Sequence, residues 1–389
     1  MLPANLRDEI DKVKAKYEAR PWLGRGGEQI ATSWHEAGAC AGGRISAMVE
    51  AVAALTEANE AEAERIFLAL SDIAPAAALH KSDGWSIASF AVPALFKAAD
   101  GDVNLVLSLI DGLGKVVTAM AENGISASRT LQYGLPTLGE VTRGKSAQTC
   151  LDMATRLSQK GVDPGEVLRL VIRGLEPFFE NNEALVTACQ ATEEFIAGAV
   201  DFGVAVSLPL ATAIQNVGNA SKGDGERYAH LLSLLHLLVD VVVAGDLDIY
   251  PTLEYGIKPA CDFLGGLNGR LEKMLDVCFT IASNGLPVLS ILRDMSHNVG
   301  VLTEEAWQCA CKCLIELSAE GVDGSHVVNY GFQAISGHRP DWEEQLEHEA
   351  AELMRAARGM AQHGFTQRVG HNFRYGLPAL TRVSAESEA

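Results

Sequence analysis

Apolar helical patterns in this chain stop at a glycine, and then stop at another roughly forty residues later. "MAENG" ends at Gly124, "LSQKG" at Gly161, "AVDFG" at Gly203 and "VVVAG" at Gly245. "IASNG", "LSAEG" and "MAQHG" end at Gly285, Gly321 and Gly364, and "HKSDG" at Gly84 is a weaker first member. The successive separations are 40, 37, 42, 42, 40, 36 and 43 residues. Self-similarity sustained at such a period marks a repeat protein, because each unit is one supersecondary piece that buries its apolar face only against its neighbours. The 37 glycines of the chain could produce some of this spacing by chance, but not the flanking pattern as well.

The grammar inside a unit comes from the same residues. A helix commonly ends on a left-handed residue, which glycine adopts without a Cβ clash. The residues after the stop read as a helix start: Asp163-Pro164 sets a capping carboxylate before a proline suited to the first turn. Ser126, Ser325 and Thr366 are placed for similar caps. Each unit therefore reads as helix A, glycine stop, short turn, helix B and a loop, with breakers such as "NASKGDGER" and "SGHRPDWEE". Helix B carries a second glycine, at Gly134, Gly174, Gly218, Gly256, Gly300, Gly331 and Gly376, with Ala91 in the first unit. Such a glycine costs up to about 1 kcal/mol relative to alanine, so its recurrence predicts close backbone approach. Apolar residues at −3, +1 and +4 from it form a core stripe: Leu131, Leu135 and Leu138 in one unit, Phe373, Leu377 and Leu380 in the last. Pro136 and Pro378 are predicted to kink their helices.

Period and helix-pair grammar resemble the HEAT and armadillo class of α-helical repeats, over roughly 84–381. The resemblance implies an all-α fold, a right-handed α-solenoid of about eight helix-pair repeats of ~40 residues spanning 84–383. Ahead of it, 44–83 is expected to cap the array, and 1–43 to hold one helix and a Gly-rich extension, "LGRGGEQIATSWHEAGACAGG". The tail at 384–389, "SAESEA", has the composition of a disordered end.

Charge narrows the partners. A net charge of −19 repels phosphate backbones, which predicts no nucleic-acid partner and no anionic membrane partner. The N-terminus has no signal-type apolar core, and the run "LLSLLHLLVDVVVAG" is too short to span a bilayer. Eight cysteines, scattered through apolar helical patterns, fit reduced thiols in a cytoplasmic protein.

Repeat proteins of this class use one face, and helix B is the candidate lining. Position −2 from its glycine is polar in most units: Gln132, Asn216, Glu254, Asn298, Asn329 and Arg374, with Ile172 breaking the row. Armadillo-type repeats hold the main chain of an extended peptide with such a ladder, and amides suit it because they donate and accept at once. The bland reading is a solvated flank beside the core stripe. Arg293, His297, His326, Arg368, His371 and Asn372 form a cationic and imidazole cluster towards the C-terminus. It suits an acidic peptide, carboxylate or phosphate, or else balances acidic helices such as "DWEEQLEHEAAEL". "CACKC" sets Cys309 and Cys313 on one helix face, but no second pair comes after it at zinc-finger spacing. "SWHEAGAC" lacks the second histidine of a zinc-protease helix, and "GRGG" lacks the lysine of a phosphate loop. No metal, cofactor or catalytic set is therefore expected.

These residues point to a cytoplasmic, non-enzymatic scaffold or adaptor that binds a partner protein or extended peptide along helix B. The alternative is a ligand- or cofactor-binding protein or an enzyme, as some helical-repeat lyases are. In it the segment with Trp34, His35 and Glu36 folds over the array towards the His/Arg cluster. Self-association through apolar array ends is a third possibility.

Overall fold

A computed structural model describes residues 2–39, 44–57, 59–79, 84–267, 269–296, 302–325, 328, 331–332 and 346–362. Among these residues every regular element is helical and there is no strand. The chain divides into two compact units: Met1–Val200 with Gly223–Glu226, and Asp201–Lys222 with Arg227–Ala389.

In the first unit the helices fall into two rows. Pro21–Ala37, Glu60–Asp72, Val103–Glu122 and Lys145–Gln159 pack in succession as one row. The other runs from Ile45–Leu55 through the helical stretches 84–99 and 130–141 to 164–178. Helix A therefore packs on the next helix A and helix B on the next helix B, about one repeat period away. The Lys145–Gln159 helix is tied forward by a half-buried triad, in which Arg156 Nε and Lys160 Nζ reach Glu193 at 2.5 and 2.7 Å. The second unit repeats the scheme. Arg270–Ser283, Glu304–Ala319 and Leu346–Gln362 form one row, and Leu208–Ser221, Ile257–Leu264 and Ile291–Met295 the other.

The glycine stops behave as expected at five positions. Gly124, Gly161, Gly203, Gly285 and Gly321 all have positive φ, between 67° and 81°. The apolar residue after the stop then donates five residues back: Ile125 to Met120 O, Val162 to Leu157 O, Leu286 to Ile281 O and Val322 to Leu317 O. This bond satisfies a helix-terminal carbonyl while the apolar side chain folds back on the helix. At Gly245 the left-handed role passes to Asp246, with φ 54°. Gly84 begins a helix rather than ending one, and Gly364 lies outside the described residues. Asp163 caps as predicted, accepting from Gly165 N at 2.9 Å. At Ser325, Asp323 takes the backbone N–H and the hydroxyl accepts from Ser290.

The Gly-rich N-terminal stretch is a helix, not an extension. Pro21–Ala37 ends at Gly38 (φ 84°), and Ala39 N–H donates to Trp34 O, the same stop used downstream. Pro21–Ala37 and Ile45–Leu55 thus pack together as one more helix pair. The glycines permit tight packing: a Cβ on Gly26 would lie 2.1 Å from the buried Phe67 ring. Trp34 is 1% exposed and its Nε1–H donates to Leu70 O at 2.7 Å, so it belongs to the core. His35 and Glu36 face solvent on the same helix. Trp34 is thus held within the core of its own unit, while His35 and Glu36 are on the surface.

Among the described residues two helices have the length and apolarity to cross a membrane, Val103–Glu122 and Gly225–Ala244, each of 20 residues. The second is longer than the apolar run isolated from the sequence. The first is amphipathic, with Leu109, Leu113 and Val116 fully buried and an exposed Asp111–Lys115 ion pair at 2.6 Å.

Candidate functional site

In five repeats helix B is not a plain α-helix. Ile87–Ala91, Thr130–Gly134 and Val167–Val171 in the first unit, and Thr252–Gly256 and Ile291–Met295 in the second, are π-helical. Val92 N–H reaches Ile87 O, Leu135 N–H reaches Thr130 O and Ile257 N–H reaches Thr252 O, each spanning five residues. Proline comes soon after, at Pro93, Pro136 and Pro259. A proline removes one N–H and pushes its ring at the carbonyl four residues back. Widening the preceding turn by one residue moves that carbonyl aside, so the expected kink is absorbed as a π segment.

The extra residue also sets which side chains emerge. The third residue of each π segment is polar: Ser89, Gln132, Arg169, Glu254 and Arg293. The fourth is an exposed aromatic in three: Phe90, Tyr133 and Tyr255, at 36%, 57% and 54% exposure. The core stripe beside them is fully buried at Leu131, Leu135 and Leu138. Glycine closes the segment where helices touch. A Cβ on Gly134 would meet Gly165 O at 3.1 Å, and one on Gly256 would meet Leu292 Cβ at 3.1 Å, both on the next helix B.

This register corrects the ladder read from glycine spacing. In the third unit the π segment ends at Val171, three residues before Gly174, so Arg169 and not Ile172 occupies the polar place. In the sixth it ends at Met295, five residues before Gly300, and the equivalent residue is Arg293. Asn216 does not share the placement. Its helix, Leu208–Ser221, is regular, its side chain is 9% exposed, and its amide donates to Thr212 O at 2.8 Å. Gln132 is half-buried and donates to Ser86 Oγ at 3.1 Å, tying neighbouring helices B together. Glu254 accepts from the Tyr255 hydroxyl, which holds that phenol above its ordinary pKa. Arg169 is engaged by Glu166, which Arg129 also approaches at 3.5 Å. Of the remaining ladder and cluster residues, Asn298, Asn329, Arg374, His297, His326, Arg368, His371 and Asn372 lie outside the described residues.

The aromatic row was legible but unread: Phe90, Tyr133, Tyr255, Tyr330 and Tyr375 all directly precede the helix B glycine or its equivalent. Among the described residues no three His, Cys, Asp or Glu side chains are grouped to hold a metal ion.

Fold and site together define an all-helical protein of repeated helical hairpins, with aromatic and polar side chains presented in register from π segments. Compared with protein-family models, curated proteins and solved structures, the chain matches none.

Proposed function

We propose that the protein is a non-catalytic, cytoplasmic scaffold in which the hairpins of each unit stack as a right-handed α-solenoid. Helix B of that stack binds an extended segment of a partner protein. The observation that carries this reading is the polar–aromatic pair at the third and fourth residues of π segments, Gln132-Tyr133 in one unit and Glu254-Tyr255 in the other. Regular helices do not need such segments, and π turns are frequent at functional sites. An exposed tyrosine offers a rigid apolar face, and its π cloud attracts Lys and Arg. The net charge of −19 selects the same partner, a basic segment, and disfavours acidic ones.

Peptides matched in apolar content but rich in Lys/Arg, rich in Asp/Glu, or uncharged test this by fluorescence anisotropy at low and high salt. The basic set is expected to bind, more weakly as salt rises. Tyr133→Ala or Tyr255→Ala is expected to weaken that binding about tenfold, or ~1.4 kcal/mol. Leu68→Ala, on the exposed face of a helix A, is expected to leave it unchanged. Tyrosine variants that bind like the parent protein would refute the helix B site.

A further inference from the structure

Cys309 and Cys313 stand one turn apart on Glu304–Ala319. They border a cavity of about 1010 Å³ between this helix and Leu346–Gln362, shared with Glu305, Lys312, Glu347 and His348. Cys309 is partly exposed, and Cys313, which lines the same cavity, is 3% exposed. Every other described cysteine is buried.

We propose that Cys309 and Cys313 form a peroxide-responsive dithiol, Cys309 being the attacking thiolate and Cys313 the resolving thiol. In the first step the Cys309 thiolate attacks the outer oxygen of a hydroperoxide. The O–O bond breaks, the alkoxide or hydroxide leaves and takes a proton, and Cys309 becomes a sulfenic acid. In the second step the Cys313 sulfur attacks the Cys309 sulfur. The S–S bond forms, the S–O bond breaks, and water leaves with the Cys313 proton. The pair loses two electrons to one peroxide, and a dithiol reductant returns them.

The surroundings support these roles. The hydrogen bond from Cys313 and the Lys312 ammonium hold the Cys309 thiol below its ordinary pKa, against burial and the carboxylates of Glu347 and Glu316. The same hydrogen bond and burial push Cys313 up, as suits a thiol that reacts second. By contrast, burial pushes Cys261 and Cys311 each up to about 12, and burial also raises Cys278. Cys150 is raised by its hydrogen bond with Cys189 and by burial. Helical residues four apart hold their Cβ atoms ~5–6 Å apart, and a disulfide wants ~3.5–4.5 Å. The bond therefore strains the helix and is readily reduced, which is the behaviour of a switch rather than a staple.

Trypsin cleaves after Lys312, between the two cysteines, so the disulfide leaves their peptides joined. The reduced full-length protein is treated with limiting hydrogen peroxide, alkylated and digested without reductant. The expected result is a Cys309–Cys313 link formed at least ~10-fold faster than any other cysteine is modified, reversed by dithiothreitol and unchanged in Cys311→Ser. Cys313→Ser is expected to accumulate a dimedone-reactive sulfenic acid on Cys309, and Cys309→Ser to lose the fast reaction. The proposal is overturned if the link is absent, if it involves Cys311, or if Cys309→Ser retains the fast reaction. Cys309 is partly exposed, so that last variant serves even where Cys313→Ser does not fold.

Discussion

Gly139→Ala and Gly359→Ala are the same substitution inside helices, and the structure gives them opposite signs. A Cβ on Gly139 would sit 2.4 Å from Ala94 O and 2.9 Å from Ala94 C and Cα, where ordinary contact begins at 3.4 Å. The obstacle is backbone, so no side-chain rotation relieves it. Leu135–Val141 must back away from Val92–Ala99 by about 1 Å, a gap that forfeits a quarter to half of the dispersion energy at an interface. That interface includes Val92, Leu95, Leu135 and Leu138, all fully buried. Overpacking of this kind costs ~1–3 kcal/mol, and an immovable carbonyl puts the site at the upper end. Alanine returns up to ~1 kcal/mol of helix propensity, leaving a net loss of about 2 kcal/mol. Around Gly359 nothing lies within 4 Å of the added methyl. Only the propensity gain remains there, up to ~1 kcal/mol of stabilisation. The two positions lie in different units, so peptide-resolved hydrogen exchange reads each against its own unit, and thermal unfolding gives the scale. Shifts of ~4–8 °C downward and ~2–4 °C upward are expected for units of this size. A Gly139→Ala protein as stable as its parent would refute the inference that glycine here serves close helix approach.

Other outcomes can be measured alongside these. Glu193→Ala strands Arg156 and Lys160 beside a buried position and is expected to cost ~1–3 kcal/mol by urea denaturation, discounted because both cations are 40–44% exposed. The hydrogen bond from Arg358 holds the Glu320 carboxyl below its ordinary pKa. With the folded value depressed, its contribution is present above the unfolded pKa and fades as pH falls through the folded one. The stability difference between the parent and Glu320→Gln should therefore shrink on acidification, and a difference that persists in acid would contradict the pairing. Tyr133→Ala and Tyr255→Ala should change melting temperature little, since both residues are more than half exposed, even though they weaken peptide binding.

The repeat was legible because its punctuation is local. Gly124, Gly161, Gly285 and Gly321 each need a left-handed backbone, and each precedes the apolar residue that completes the stop. The pair of Pro21–Ala37 and Ile45–Leu55 was missed because Gly24, Gly26 and Gly27 read as loop. Their absent side chains instead admit Lys14, Phe67 and Val49, which come from elements distant in sequence. The polar row was half-legible. Counting from glycine reaches Gln132 and Glu254, the third residues of their π segments, but does not equate Arg169 and Arg293 with them. Counting assumes that the glycine closes the π segment, which holds at Gly134 and Gly256, whereas the segments ending at Val171 and Met295 stop three and five residues short of it.

By itself, then, the sequence determined the all-helical class, the glycine stops at Gly124, Gly161, Gly285 and Gly321, the Asp163 cap and the buried stripe at Leu131, Leu135 and Leu138. All of these depend on propensities and spacings within one or two turns. Only the tertiary structure decided which face of helix B meets solvent, that Trp34 and Asn216 are spent internally, and that a partly exposed Cys309 and a buried Cys313 line one cavity. Those outcomes depend on how closely neighbouring backbones approach and where a helix turn widens to accommodate a proline, which no count along a single chain contains.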